Sequence, residues 1–196
     1  MGGSYQQMMI LETTLDAAAA ALAGHKGWIA AEGDVVVLFL DDAGDPLRHD
    51  LPRAVSESVD SPIVRCSIFD DEVLTVEVWR QGRFLADATT HDTAEYMGLS
   101  PEELEGLEDV DFSALGFEAA EASGAEAFVS TIGRGDQAAA VAALSNAQHT
   151  YHPEPQEQLL LALNLPTFAI GYDYGYLRYW EGHDDRYNGP ELRKIP

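Results

Sequence analysis

The chain has a single cysteine, Cys66, in 196 residues, so no internal disulfide can form. Its neighbours Val64 and Ile68 place Cys66 on a strand, as a buried structural thiol rather than a nucleophile. Basic residues are scarce. Eleven lysines and arginines stand against 34 acidic residues, for a net charge of −23, and only Lys26 and Lys194 are lysines. Nucleic acids and anionic membranes are bound through clustered Lys and Arg, so this balance argues against both. A cationic partner, by contrast, would be attracted and its encounter accelerated. No run of about 18 apolar residues exists, so no transmembrane helix is expected. The opening MGGSYQQMMILETT has no basic stretch before its short apolar run, and Gln6 stands where a myristoylation signal needs Ser or Thr. A cytoplasmic location is the expectation.

Catalytic signatures are also missing. There is no G-x-S-x-G. Gly133 and Gly135 in STIGRGDQ do not make a G-x-G-x-x-G, and no P-loop lysine follows. The RGD inside that stretch, Arg134 to Asp136, is a match of a length expected by chance. No cofactor is implied, and no repeat or low-complexity linker divides the chain.

What is present is a hydrophobic fraction of 46%, enough for a globular core. QQMMILETT reads as a strand, and Asp16 could cap a helix through AAAAALAG that stops at Gly24. GWIAAEG and DVVVLFLDD read as strands, the second buried on both faces. LPRAVSESV suits a short helix with Pro52 near its start. Residues 63 to 89 give the strongest β signal: IVRCSIF, VLTVEVW and RFLADAT, joined by DDE and RQGR, form an antiparallel meander. In VLTVEVW, Leu74, Val76 and Val78 share the face expected to meet the core, while Val73, Thr75, Glu77 and Trp79 share the other.

From residue 91 helical patterns dominate: SPEELEG, DFSALGFEAAEASGAEAFVSTI, GDQAAAVAALSN and QEQLLLALNL. LPTFAIGYDYGYLRYW then reads as a returning strand. The expected class is α+β: a mostly antiparallel sheet, helices packed on it, a helical second half and a C-terminal strand. Residues 1–185 read as one domain in which 91–165 could form a helical subdomain, and 186–196 as a loosely packed tail.

Candidate chemistry is sparse. His149 and His152 in HTYH could bind a metal, but Pro153 and Pro155 favour a loop. His183 beside Asp184 and Asp185 could form a hard-metal or general-base site, with no other motif in support. The acidic runs 41–46 and 70–72 fit turns at strand ends and lack the order of a calcium loop. On a strand over 171–179, Tyr172, Tyr174 and Tyr176 would share one face, suited to the boundary of a core or a binding surface.

Two stretches, RCSIFDDEVLTVEVWRQGRFLADATT and LLLALNLPTFAIGYDYGYL, together resemble the small acidic bacterial immunity or accessory proteins encoded beside secreted toxins. That resemblance implies a stoichiometric inhibitor without a cofactor. The expectation is a cytoplasmic protein that binds a basic toxin surface by occlusion, with Asp70, Asp71, Glu72, Tyr172, Tyr174 and Tyr176 as partner-binding residues. The alternatives are a metal-dependent hydrolase and a small-ligand sensor domain.

Overall fold

A computed structural model describes residues 5–41, 50–69, 73–90, 120–145, 154–172, 177 and 187–195. Its first strand is β1, Tyr5–Ile10, followed by helix α1, Leu15–Ala21, and a hairpin of β2, Gly27–Glu32, and β3, Val35–Leu40. Helix α2, Asp50–Ser58, leads into the meander β4, Ile63–Phe69, β5, Val73–Arg80, and β6, Arg83–Thr89. These three strands fall almost residue for residue where alternation and turn chemistry place them. Then come the short strand β7, Ala122–Ser123, helices α3, Ala125–Ile132, α4, Gln137–Ser145, and α5, Glu154–Ala162, and finally β8, Arg193–Lys194.

The strands form one sheet in the order β7-β6-β5-β4-β1-β3-β2-β8. Every pairing is antiparallel except β6 with β7. The architecture is α+β, an open and mostly antiparallel sheet with helices packed on it.

Topology explains why helices cover both faces. The β1-α1-β2 and β3-α2-β4 connections each cross one intervening strand, in opposite directions and from oppositely directed strands. A shared handedness therefore puts α1 and α2 on the same face. There Ala18, Ala19 and Leu22 of α1 and Val55 of α2 join Met8, Ile10, Ile29, Val36, Leu38, Ile63 and Trp79. The opposite face belongs to the second half: Phe128, Val129, Ala140, Leu144, Leu159 and Leu160 pack on Met9, Val37, Phe39, Val64, Cys66, Val76 and Val78. All six residues of β3 are buried, as its unbroken apolar run requires.

Local chemistry sets several boundaries. The N-cap of α1 is Thr14, whose Oγ1 accepts from Ala17 N at 3.3 Å, so the cap lies two residues before the expected Asp16. Gln81 and Gly82 both take positive φ in the β5–β6 turn, the geometry of a tight two-residue hairpin. Ser56 of α2 holds that turn, its Oγ accepting from Gly82 N at 2.9 Å and its carbonyl from Gln81 N at 3.1 Å.

The chain end differs from expectation. Thr167 to Tyr172 spends its backbone on turns, with Ile170 N donating to Thr167 O and Tyr172 N to Ala169 O, so the returning strand does not begin here. Most of the stretch 171–179 lies outside the described residues; among the described residues, the C-terminal strand in the sheet is β8, within the stretch read as a tail. It pairs with β2, and Ile195 is buried behind it.

The RGD stretch has structural work at each residue. The Arg134 guanidinium meets Asp34 in the β2–β3 turn at 3.1 Å and the Asn164 carbonyl beyond α5 at 3.5 Å. Gly135 has φ +71, and a Cβ there would overlap the Ala162 carbonyl oxygen and stand 2.6 Å from Leu163 Cα. Asp136 N donates to that Ala162 oxygen at 2.7 Å, and its Oδ1 caps α4 through Ala139 N at 3.1 Å. Gly133 also has positive φ, but only Ser130 O lies near a Cβ, at 3.7 Å. Urea unfolding should therefore show Gly135→Ala losing about 3 kcal/mol and Gly133→Ala about 1 kcal/mol. Equal losses would contradict the close approach at Gly135.

The Arg134 hydrogen bond holds the Asp34 carboxyl below its ordinary value of 3.8. A depressed folded value means the pair stabilises at neutral pH, and the contribution disappears as pH falls through the acid range below that value. Arg134→Gln should flatten the acid limb of a stability–pH curve relative to the unaltered protein.

Candidate functional site

Of the expected binding residues, Tyr172 lies within the described structure. Asp70, Asp71, Glu72, Tyr174 and Tyr176 lie outside the described residues, as do His149, His152, His183, Asp184 and Asp185. The strands flanking 70–72 end at Phe69 and begin at Val73. Among the described residues no group of three or more His, Cys, Asp or Glu could hold a metal ion. Cys66 is fully buried, and burial, reinforced by the charge of Glu77, pushes its thiol up to about 12, so it stays protonated at neutral pH.

Tyr172 belongs to an aromatic cluster. Its ring meets Tyr187 edge to face at 5.6 Å, and Phe168 meets Tyr187 in the same manner at 6.1 Å. Tyr187 Oη donates to Pro190 O at 2.8 Å. Burial, with Tyr172 adding to it, raises the Tyr187 phenol to about 12, which keeps it a donor. Gly189 lies so close to both Phe168 and Tyr187 that a Cβ would stand 2.6 Å from each. The three rings are half-buried, each keeping part of its surface in water. This rigid surface of apolar bodies and polar tips suits recognition. Tyr187 was hidden from sequence reading by its place among polar and turn-forming residues.

The second concentration of chemistry lies on the α1/α2 face of the meander. Arg65, Glu77 and Asp87 stand opposite one another on β4, β5 and β6, and in the next row Gln6, Ser67, Thr75 and Thr89 do the same across four strands. Arg65 is 1% exposed and Glu77 4%. The Arg65 guanidinium donates from Nη2 to Glu77 Oε1, while Trp79 Nε1 donates to Glu77 Oε2 at 2.7 Å. Trp79 in turn stacks on Phe84 at 4.5 Å across the bulge at Val78/Trp79. The face opposite Leu74, Val76 and Val78 is thus a second interior. A trace was readable in the sequence: Arg65, Ser67, Thr75, Glu77 and Asp87 sit at alternate positions of three successive strands.

A third polar group joins the layers on the other face. Gln156 of α5 is wholly buried, accepts from Tyr5 Oη and donates from Nε2 to Gln7 Oε1 at 2.9 Å. It fixes α5 over β1.

Fold and site together define a three-layer α+β protein with a half-buried aromatic surface and a polar sheet face. Comparison with protein-family models, curated proteins and solved structures finds no match to this chain.

Breaking a buried ion pair by removing one partner costs about 3–5 kcal/mol, because the other charge stays in the interior. Arg65→Met and Glu77→Gln should each lose stability on that scale in urea unfolding. The double variant Arg65→Met/Glu77→Gln should lose less than the sum. Strict additivity would show that the two side chains act independently.

Proposed function

We propose that this chain is a cytoplasmic binding protein, an immunity protein that inhibits a cognate toxin by direct occlusion. The observation that carries this reading is its charge: 34 acidic residues against 11 basic ones. Lys26, Arg65, Arg83, Arg134 and Arg193 each neutralise a carboxylate of the same chain, and a net charge of −23 still remains. Such a field steers a basic partner and excludes nucleic acid by like charge. The Phe168–Tyr172–Tyr187 cluster supports the reading from another direction, since half-buried aromatics on a rigid base are efficient anchors. The proposed contact residues are Tyr172, Tyr174 and Tyr176 with Asp70, Asp71 and Glu72. Steering belongs to the acids and residence time to the rings.

The test is binding to the product of the neighbouring toxin gene. Changing Asp70, Asp71 and Glu72 to Asn, Asn and Gln should slow association several-fold and weaken its salt dependence. Changing Tyr174 and Tyr176 to Ala should speed dissociation about 30-fold, a loss of about 2 kcal/mol. Tyr172 packs on the core, so Tyr172→Phe is the suitable change there. A folded protein that neither binds that product nor protects cells expressing it would end the proposal.

A further inference from the structure

We infer that Tyr187–Ile195 is a strap that docks and opens as one unit, and that its docking on β2 assembles the aromatic surface. Its role in partner binding rests on the reading above; the strap itself is testable on the free protein.

The aromatic surface is built from two separate parts of the chain. Phe168 and Tyr172 lie in the turns that follow α5, and both pack against the layer of α3, α4 and α5. Tyr187 comes from the strap and meets both rings edge to face. Its ring is fastened to the strap's own turn. Tyr187 Oη donates to Pro190 O at 2.8 Å, and a Cβ on Gly189 would stand 2.6 Å from that Oη and from Phe168 Cδ2. The Tyr187 ring therefore goes where the strap goes.

The other end of the strap is held by the sheet. Arg193 and Lys194 stand opposite Ile29 and Trp28 of β2, and Ile195 N donates to Gly27 O at 3.0 Å. Leu192 packs against the α3–α5 layer, whereas Ile195 joins the opposite layer with Leu22 and Ile29. The strap thus crosses from one face of the sheet to the other. Arg193 adds an ion pair with Asp16 of α1, but both side chains are exposed, so that pair contributes little. Ile195 is the one buried side chain of the strap. An element with so little buried apolar surface belongs to the low end of local stability and opens while the sheet stays folded. Its two ends support each other. Loosening Ile195 withdraws Tyr187 from Phe168 and Tyr172, and prying those rings apart loosens Ile195, because such coupling is reciprocal.

The test is NMR on the whole chain, with amide hydrogen exchange and ring-to-ring Overhauser contacts as readouts. In the unaltered protein the Ile195 amide should exchange about a hundredfold faster than the amides of β5. Ile195→Ala should weaken the Overhauser contacts of Tyr187 with Phe168 and Tyr172, eight or more residues away or across the fold. Gly189→Ala, which drives a methyl group between Phe168 and Tyr187, should speed exchange at Ile195 about tenfold or more. The amides of β5 should keep their rates in both variants. Ring contacts that survive Ile195→Ala, or an Ile195 rate unmoved by Gly189→Ala, would show two independent ends and overturn the strap. Equal acceleration in β5 would mean global unfolding and overturn it as well. With the product of the neighbouring toxin gene bound, exchange at Ile195 should slow about tenfold or more, and an unchanged rate would overturn the link to binding. Failure of that product to bind would end the functional reading and leave the strap to stand on the free protein's exchange.

Discussion

A sheet buried on both faces must satisfy its polar side chains inside the protein, and the Arg65–Glu77 pair is where that constraint is sharpest. A guanidinium and a carboxylate with almost no exposure meet across β4 and β5, and the Trp79 indole closes the carboxylate's second oxygen. Register follows from this. A slip by one residue would drive both charges into the opposite layer, among Val64, Val76 and Phe128. The pair thus does for the central strands what apolar patterning does at their ends, and it orients Trp79 against Phe84 beneath α2.

The helices are tied to that sheet by polar contacts as well as by burial. Ser56 fastens α2 to the β5–β6 turn, Gln156 fastens α5 to β1 through Tyr5 and Gln7, and Arg134 joins the α3–α4 connection to the β2–β3 turn. Each contact links residues far apart in the chain and joins one layer to the next. Among the described residues both sheet edges end in strands of two residues, β7 and β8, which offer little template for unwanted pairing.

Two kinds of surface emerge from the same interior. The aromatic cluster around Tyr187 is held by ring-on-ring packing and a hydrogen bond. The polar rows of the meander carry hydrogen-bonding capacity that the described fold leaves unused at Ser67 and Asp87.

The sequence by itself determined the class and much of the scaffold. Alternation in IVRCSIF, VLTVEVW and RFLADAT, with Gln81–Gly82 between the last two, located the meander, because strand period and turn chemistry are local properties. The run VVVLFL announced a strand without a solvent face for the same reason. Tertiary structure alone decided which second face became interior, so Glu77 and Trp79 are core residues although their alternation is compatible with an exposed side. It placed a C-terminal strand, among the described residues, at Arg193–Lys194, paired with β2. It also gathered Phe168, Tyr172 and Tyr187 into one cluster. Partners so distant are chosen by the packing of layers, a free energy that no short stretch of chain contains.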